Sequence, residues 1–225
     1  QSDLSQRNRT ELAWAVADVF EFRIDMSRDL QDGDQFSVLV EKRQLPSGVT
    51  RLGNVLATTF TNGGRTIQAI RHVHGQIRAG MSGTDIAAMI TAAHTALGGK
   101  HEFSLVLLNE ASAYPHGSEH PQQVREGSVI LVDTGCKVHG YSSDISRTWI
   151  HGEPSKRQRE VWNTVKRGQE LALETARIGV PVGDVDIAVR RYYEARGWAR
   201  NYGLPGTSHR TGHGIGMDGH EPPNL

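Results

Sequence analysis

The sequence predicts an α+β chain in two parts. A small β-rich module with one helix spans residues 1–71, and a larger unit of helices and antiparallel strands spans residues 72–225. Three observations carry this. Before residue 72, apolar and polar residues alternate in short runs, the period of strands half-buried in a sheet. Beyond it, two long segments carry helix start and stop signals, Ser82 with Gly98-Gly99 and Ser155 with Gly179 and Pro181. Finally, a compact apolar run ending in Asp133 is followed by a second strand-like run over residues 141–150, the pattern of a hairpin.

Taken in order, residues 8–22 place Leu12, Val16, Val19 and Phe20 at helical spacing. Gln35–Glu41 alternates Phe36, Val38 and Val40 with polar residues, and Leu45-Pro46-Ser47-Gly48 turns the chain into a second run over 50–60. Thr61-Asn62-Gly63-Gly64 is a further turn, since Asn and Gly tolerate positive φ, and Arg65–Ile70 is expected to close a three-stranded meander. Ser82 and Asp85 form a capping-box pattern for a helix over 83–97, which Gly98-Gly99 ends. Ser128–Asp133 is a strand, with Tyr141–Ile150 as its antiparallel partner. Ser155 caps a helix reaching Ile178 with Val161, Val165, Ala172 and Ala176 on one face. Asp184 caps the next helix, which Gly197 closes. The tail from Tyr202 to Leu225 is rich in Gly, His and Pro and reads as a functional loop.

The 25 basic and 25 acidic residues balance, which argues against a nucleic-acid, polyanion or membrane-surface partner. No apolar run approaches the roughly 20 residues of a membrane span, and the first residues lack the apolar stretch of a secretory leader. A cytoplasmic location is expected on these grounds. The single cysteine, Cys136, excludes an internal disulfide framework and reads as a small buried residue.

Chemistry concentrates in three segments: Tyr114-Pro115-His116-Gly117; Val132-Asp133-Thr134-Gly135 with Tyr141-Ser142-Ser143-Asp144-Ile145-Ser146-Arg147-Thr148; and His209-Arg210-Thr211-Gly212-His213-Gly214-Ile215-Gly216, continuing to His220-Glu221-Pro222. A carboxylate at the end of a buried strand is costly unless paired or bound to a cation. A hairpin can bring Asp133 and Asp144 side by side, where a divalent cation relieves their repulsion. The alternative for the same residues is that Asp133 turns the chain with Thr134-Gly135 while Asp144 pairs with Arg147. His213, flanked by Gly212, Gly214 and Gly216, has little steric cover, and His209 and His220 add two imidazoles nearby in sequence. Carboxylates with imidazole suit Mn, Co, Fe or Zn rather than Ca. Tyr141 and Arg147 read as supports of the hairpin. His72 and His74 form a His-x-His pair without the further ligands that would make it a metal motif.

Together the three segments resemble the pita-bread metallopeptidases: methionine aminopeptidase, Xaa-Pro aminopeptidase and prolidase, with creatinase as a relative that is not a peptidase. The resemblance covers about residues 72–225. It implies an incomplete pita-bread fold, two divalent metal ions (Mn, Co, Zn or Fe) and a peptide substrate, with a homodimer as an open option. It further implies that Asp133 chelates one metal, that Asp144 bridges both, and that His213 is a ligand. His116 is implied as a catalytic and substrate-side residue, and His220 as the residue that steadies the tetrahedral intermediate. His209, four residues before the metal histidine, matches the further substrate-contacting histidine of the Xaa-Pro enzymes and points to that branch.

The family's site uses two more glutamates downstream of the His-Glu-Pro segment, one of them the general base. The chain ends five residues after His220, and Glu221 matches neither glutamate. A fragment is the favoured reading, with apolar surface left open where closing strands would lie. Residues 13–71 resemble instead the small β module upstream of lysostaphin-like peptidoglycan endopeptidases, which would make a periplasmic location the alternative. Two other functions therefore stay open: a pita-bread relative that binds peptides without cleaving them, and an accessory to a cell-wall endopeptidase.

Overall fold

The computed structural model describes residues 6, 9–10, 35–44, 50–61, 63–114, 116–118, 120–198 and 209–224. β1 (Gln35–Gln44) and β2 (Thr50–Thr61) pair antiparallel, with Gln35 opposite Thr61 and Gln44 opposite Thr50, and the register shifts on either side of Val40. The turn expected at 45–48 lies outside the described residues, as does most of the helix expected over 8–22.

The third expected strand, Arg65–Ile70, is a helix: α1 (Gly63–His74). A six-residue run fits either period, and only a longer window separates them. Over the full element, the buried Thr66, Ala69, Ile70 and Val73 recur at helical spacing. α1 runs through the boundary expected near residue 72, and its inner side belongs to the core of the larger unit.

α2 (Gly83–Ala96) follows its signals closely. The Ser82 hydroxyl accepts from the Asp85 backbone N–H at 3.1 Å, and the Asp85 carboxylate accepts from the Ser82 N–H at 2.8 Å. The reciprocal pair satisfies two N–H groups that the first turn leaves without helical partners. At the other end Gly98 takes φ +76. The Gly98 and Gly99 N–H groups donate to the carbonyls of Thr95 and His94, a Schellman ending.

The sheet is built around β4 (Val129–Val138). β3 (Lys100–Leu108), which the sequence pattern does not announce, pairs with one edge of it, Leu105 facing Asp133. The other edge holds β5 (Tyr141–Ser142) and β6 (Ile145–Ile150), with Asp133 opposite Ser146. The expected hairpin partner is thus present but interrupted, because Ser143 and Asp144 leave the ladder between β5 and β6. Ile70 and Val73 of α1 and Ile86 and Ile90 of α2 join Ile130 and Val132 of β4 in one apolar core.

α3 (Lys156–Thr175) begins with a second capping box, Ser155 with Gln158, and ends slightly before the expected Ile178. α4 (Val182–Glu194) starts before Asp184, which lies in its first turn rather than capping it. There the Asp184 N–H donates to the Pro181 carbonyl at 3.0 Å. α3 and α4 approach closely at Gly168, where a Cβ would lie within 2.2 Å of the Tyr193 hydroxyl. Val161 and Val165, expected to share one face of α3, are exposed, together with Trp162 and Leu173. Among the described residues no helix is long and apolar enough to cross a membrane.

Candidate metal centre

The carboxylate half of the site stands on the sheet. Asp133 lies within β4, and its Oδ1 accepts a hydrogen bond from the Ser146 hydroxyl across the ladder at 2.7 Å. Asp144 follows the break between β5 and β6, and the break is locked by Ser143. The buried Ser143 hydroxyl accepts from the Cys136 N–H at 3.0 Å and donates to the Cys136 carbonyl at 2.9 Å. Its single proton is then committed, so the Thr66 hydroxyl, 2.7 Å away on α1, donates to it. Asp144 is therefore aimed by a buried network that joins helix and sheet. Gly135 makes room for it: a Cβ there would lie 2.0 Å from the Ser143 carbonyl oxygen.

The imidazole half stands on a short strand pair. β7 (His213–Gly214) runs antiparallel to β8 (Glu221–Asn224), Gly214 opposite Glu221, which returns His220 beside His213. The backbones touch at Gly214, where a Cβ would lie 2.4 Å from the Pro222 carbonyl oxygen. Two anchors hold this pair in place. The Ser142 N–H donates to the Gly216 carbonyl at 2.7 Å, tying it to the hairpin. Asp186 of α4 accepts from the Thr211 N–H at 3.1 Å and from its hydroxyl at 2.6 Å. Arg190, one turn on, pairs with Asp186 and donates to the His209 carbonyl at 3.0 Å. Burial raises the Asp186 carboxyl, but the hydrogen bonds from Arg190 and Thr211 and the Arg190 charge outweigh it and hold it below its ordinary value.

The halves meet at Asp144, His213 and His220, whose donor atoms lie within 4.8 Å of one another. His213 Nε2 is 3.4 Å from Asp144 Oδ2. Its Nδ1 lies 2.8 Å from the Gly214 carbonyl oxygen. A carbonyl only accepts, so Nδ1 carries the proton, and in the neutral ring Nε2 presents a lone pair toward the carboxylate. Burial, first, and the neighbouring Asp133 charge push the Asp144 carboxyl above its usual range, while His213 and His220 pull it down. Two facing lone pairs and a like-charged carboxylate pair form a donor set that a divalent cation would satisfy, and its mixture of oxygen and nitrogen suits Mn, Fe, Co or Zn.

The other expected residues are placed differently. Asp133 sits beside Asp144 without joining the three-donor cluster. His116 is exposed on a turn closed by the Gly117 N–H on the Tyr114 carbonyl at 3.1 Å. His209 is exposed, its Nδ1 3.1 Å from the Arg210 carbonyl oxygen. Neither belongs to the cluster. Arg147 donates to the Ser146 carbonyl, and the contact beside Asp144 is His213 rather than Arg147. Glu221 accepts from the Asp218 N–H at 2.9 Å and so shapes its own loop. Cys136 is buried, as expected. His72 bonds Gln76 at 2.7 Å and His74 packs edge-on against Trp149, so both have structural neighbours. The sequence reading missed Thr66, Asp186 and Arg190. Asp186 and Arg190, four residues apart on a helix, look like any surface pair.

A family model described as metallopeptidase family M24 matches residues 63–225. The X-Pro aminopeptidase of Thermotoga maritima is a similar solved structure, 34% identical with a TM-score of 0.65; the match covers 71% of this chain and 44% of that one. The prolidase of Pyrococcus furiosus is 27% identical with a TM-score of 0.63, over 70% of this chain and 46% of that one. An Xaa-Pro dipeptidase from the same organism is 30% identical over 122 residues, 54% of this chain and 34% of the relative. The chain thus spans less than half the length of these relatives. They lend no support to the lysostaphin-like resemblance of residues 13–71.

Proposed function

Since the chain belongs to metallopeptidase family M24, we propose that it carries the metal-binding part of an exopeptidase that releases the first residue of a peptide, with Xaa-Pro peptides as substrates. The single observation that carries this reading is the convergence of Asp144, His213 and His220 beside Asp133. Asp133, Asp144 and His213 would hold two divalent ions, which supply Lewis-acid polarisation of the scissile carbonyl and activation of water.

The chain's own residues supply the rest. Asp144, between its carboxylate neighbour and the two imidazoles, fixes the reaction centre. His220 lies at the exposed margin of that centre, where an imidazole N–H can donate to the oxyanion of a tetrahedral intermediate. His116 and His209, both exposed, are assigned to the substrate side. The similarity to an X-Pro aminopeptidase and to prolidases supports the Xaa-Pro preference.

The test is release of the N-terminal residue from Xaa-Pro peptides by the chain loaded with Mn²⁺ or Co²⁺. Asp144→Asn should lower that activity by more than about a hundredfold, as expected when a metal ligand is removed. Undiminished turnover in the variant would refute the role of Asp144.

A second reading, a peptide-binding relative without catalysis, is favoured by the small size of the cluster, three donors among the described residues. It predicts peptide binding that is indifferent to divalent ions, and calorimetry with and without Mn²⁺ separates the two.

A further inference from the structure

We infer that Arg190 is a positioning residue for the bound peptide. It holds the His209 carbonyl and so sets the exposed His209 imidazole for the substrate, while its helical partner Asp186 serves the metal side of the same loop. This role rests on the metallopeptidase reading, in which His209 belongs to the substrate side.

The pair divides its hydrogen bonds between helix and loop. Arg190 Nε donates to Asp186 Oδ2 within α4, and Arg190 Nη2 donates to the His209 carbonyl at 3.0 Å. Asp186 Oδ1 accepts from the Thr211 N–H at 3.1 Å and from the Thr211 hydroxyl at 2.6 Å. The two side chains therefore grip residues 209 and 211, one on each side of Arg210. Residue 211 leads on to His213, and residue 209 carries an exposed ring. Arg190 and Asp186 keep only 28% and 18% of their side-chain surface exposed, so water weakens their pairing less than that of a fully exposed pair.

The His209 ring is held from a second direction. Its Nδ1 lies 3.1 Å from the Arg210 carbonyl oxygen, which only accepts, so Nδ1 carries the proton and Nε2 keeps its lone pair in the neutral ring. Arg190 fixes the peptide plane that follows His209, and the next carbonyl fixes the ring. An exposed imidazole without such holds samples several rotamers and loses that freedom when a peptide binds, which lowers affinity.

Arginine suits the task and lysine does not. The guanidinium fork donates in two fixed directions at once, here to a carboxylate and to a carbonyl, whereas an ammonium is a point charge on a flexible stem. Replacing Arg190 leaves Thr211 both of its bonds to Asp186, so the strand that carries His213 keeps its anchor. The peptide side and the metal side of the loop are thus separable.

The test is calorimetric titration of the full chain, first with Co²⁺ and then, with Co²⁺ bound, with an Ala-Pro-Ala analogue whose scissile carbonyl is reduced to methylene. Arg190→Ala should bind the analogue about fivefold more weakly, as expected for one lost hydrogen bond, and Co²⁺ within about twofold of wild type. Arg190→Lys should lose nearly as much affinity for the analogue. His209→Ala should show the same loss, and the double variant with Arg190→Ala no further loss, because Arg190 acts through His209. Arg191→Ala, next in the chain and exposed, should match wild type. Circular dichroism checks each fold. Additive losses in the double variant, or wild-type affinity for the analogue in both Arg190 variants, would overturn the positioning role and leave the metallopeptidase reading in place. So would an equal fall in Co²⁺ affinity, or unfolding of both Arg190 variants, either of which marks a general structural residue. Failure of wild type to bind either the analogue or the parent tripeptide would overturn both.

Discussion

The two halves of the candidate metal centre are built on different foundations. Asp133 stands on the central strand of a sheet whose other face is packed by two helices, Asp144 stands in the break of the neighbouring edge, and the Ser143 hydroxyl that aims Asp144 is buried. The imidazoles stand on a strand pair only two and four residues long, held to the rest by Ser142 and by the Asp186–Arg190 pair. One half is fixed by the same packing that stabilises the fold. The other is fixed by a few polar contacts at its margin. Changes on the sheet side should therefore register first as lost stability, and changes on the loop side as lost affinity for the ion.

The largest effect is expected on the sheet side, at Gly135. A methyl group there would meet the Ser143 carbonyl oxygen at 2.0 Å and the Phe103 ring at 2.7 Å. Backbone on one side and a ring on the other leave little room to yield, so Gly135→Ala should cost about 3 kcal/mol of stability, the upper range for overpacking. The urea unfolding midpoint reports it. A midpoint equal to that of wild type would show that the hairpin break is softer than its contacts suggest.

A smaller effect on the same side concerns acid. His94, in the last turn of α2, is fully buried; its Nδ1 lies 2.9 Å from Nδ1 of His101, and its Nε2 has no hydrogen-bond partner. Burial, and then the charge of His101, lower its pKa to about 4. The unfolded chain binds this proton near pH 6.5 and the folded chain only near pH 4, so stability is full above about 6.5 and declines as pH falls through that window. The contribution lost between pH 7 and pH 5 is about 2 kcal/mol. His94→Phe, which cannot be protonated, should flatten that part of the curve in urea titrations at the two pH values. An equally steep decline in the variant would assign the acid sensitivity elsewhere.

The same contrast explains what could be read from the sequence. The capping boxes at Ser82 and Ser155 and the glycines that end α2 are local signals, and the structure follows them. Asp133, Asp144 and His213 drew attention because a carboxylate after an apolar run and a histidine among glycines are chemically unusual, and the structure brings Asp144 and His213 together with Asp133 beside them. Elements defined by distant partners were not legible. Arg65–Ile70 looked like a strand because its helical period appears only over twelve residues and its burial depends on the sheet. Thr66 gave no sign that it would meet Ser143, seventy-seven positions away. Asp186 and Arg190 carry an ordinary helical spacing, and only the returning loop at 209–211 gives them a task.

That task yields the smallest and sharpest prediction. Asp186 is the only described contact between α4 and Thr211 that uses a carboxylate, and it receives both the N–H and the hydroxyl of that residue. Arg190 holds the adjoining His209 carbonyl. Asp186→Ala removes both acceptor interactions and leaves Arg190 without its helical partner, so the segment entering β7 loosens and His213 must be reordered when the ion binds. Affinity for Co²⁺ should fall about tenfold, or ~1.4 kcal/mol. Asp186→Asn keeps an acceptor for Thr211 and loses only charge, so it should fall less, because hydrogen bonds to an ionised group are about twice as strong as neutral ones. The urea midpoint should hardly move in either variant, since neither change touches the core. Wild-type affinity in Asp186→Ala would mean that the Ser142–Gly216 tie alone positions the imidazoles. A large drop in midpoint would mean that the two halves share a foundation after all.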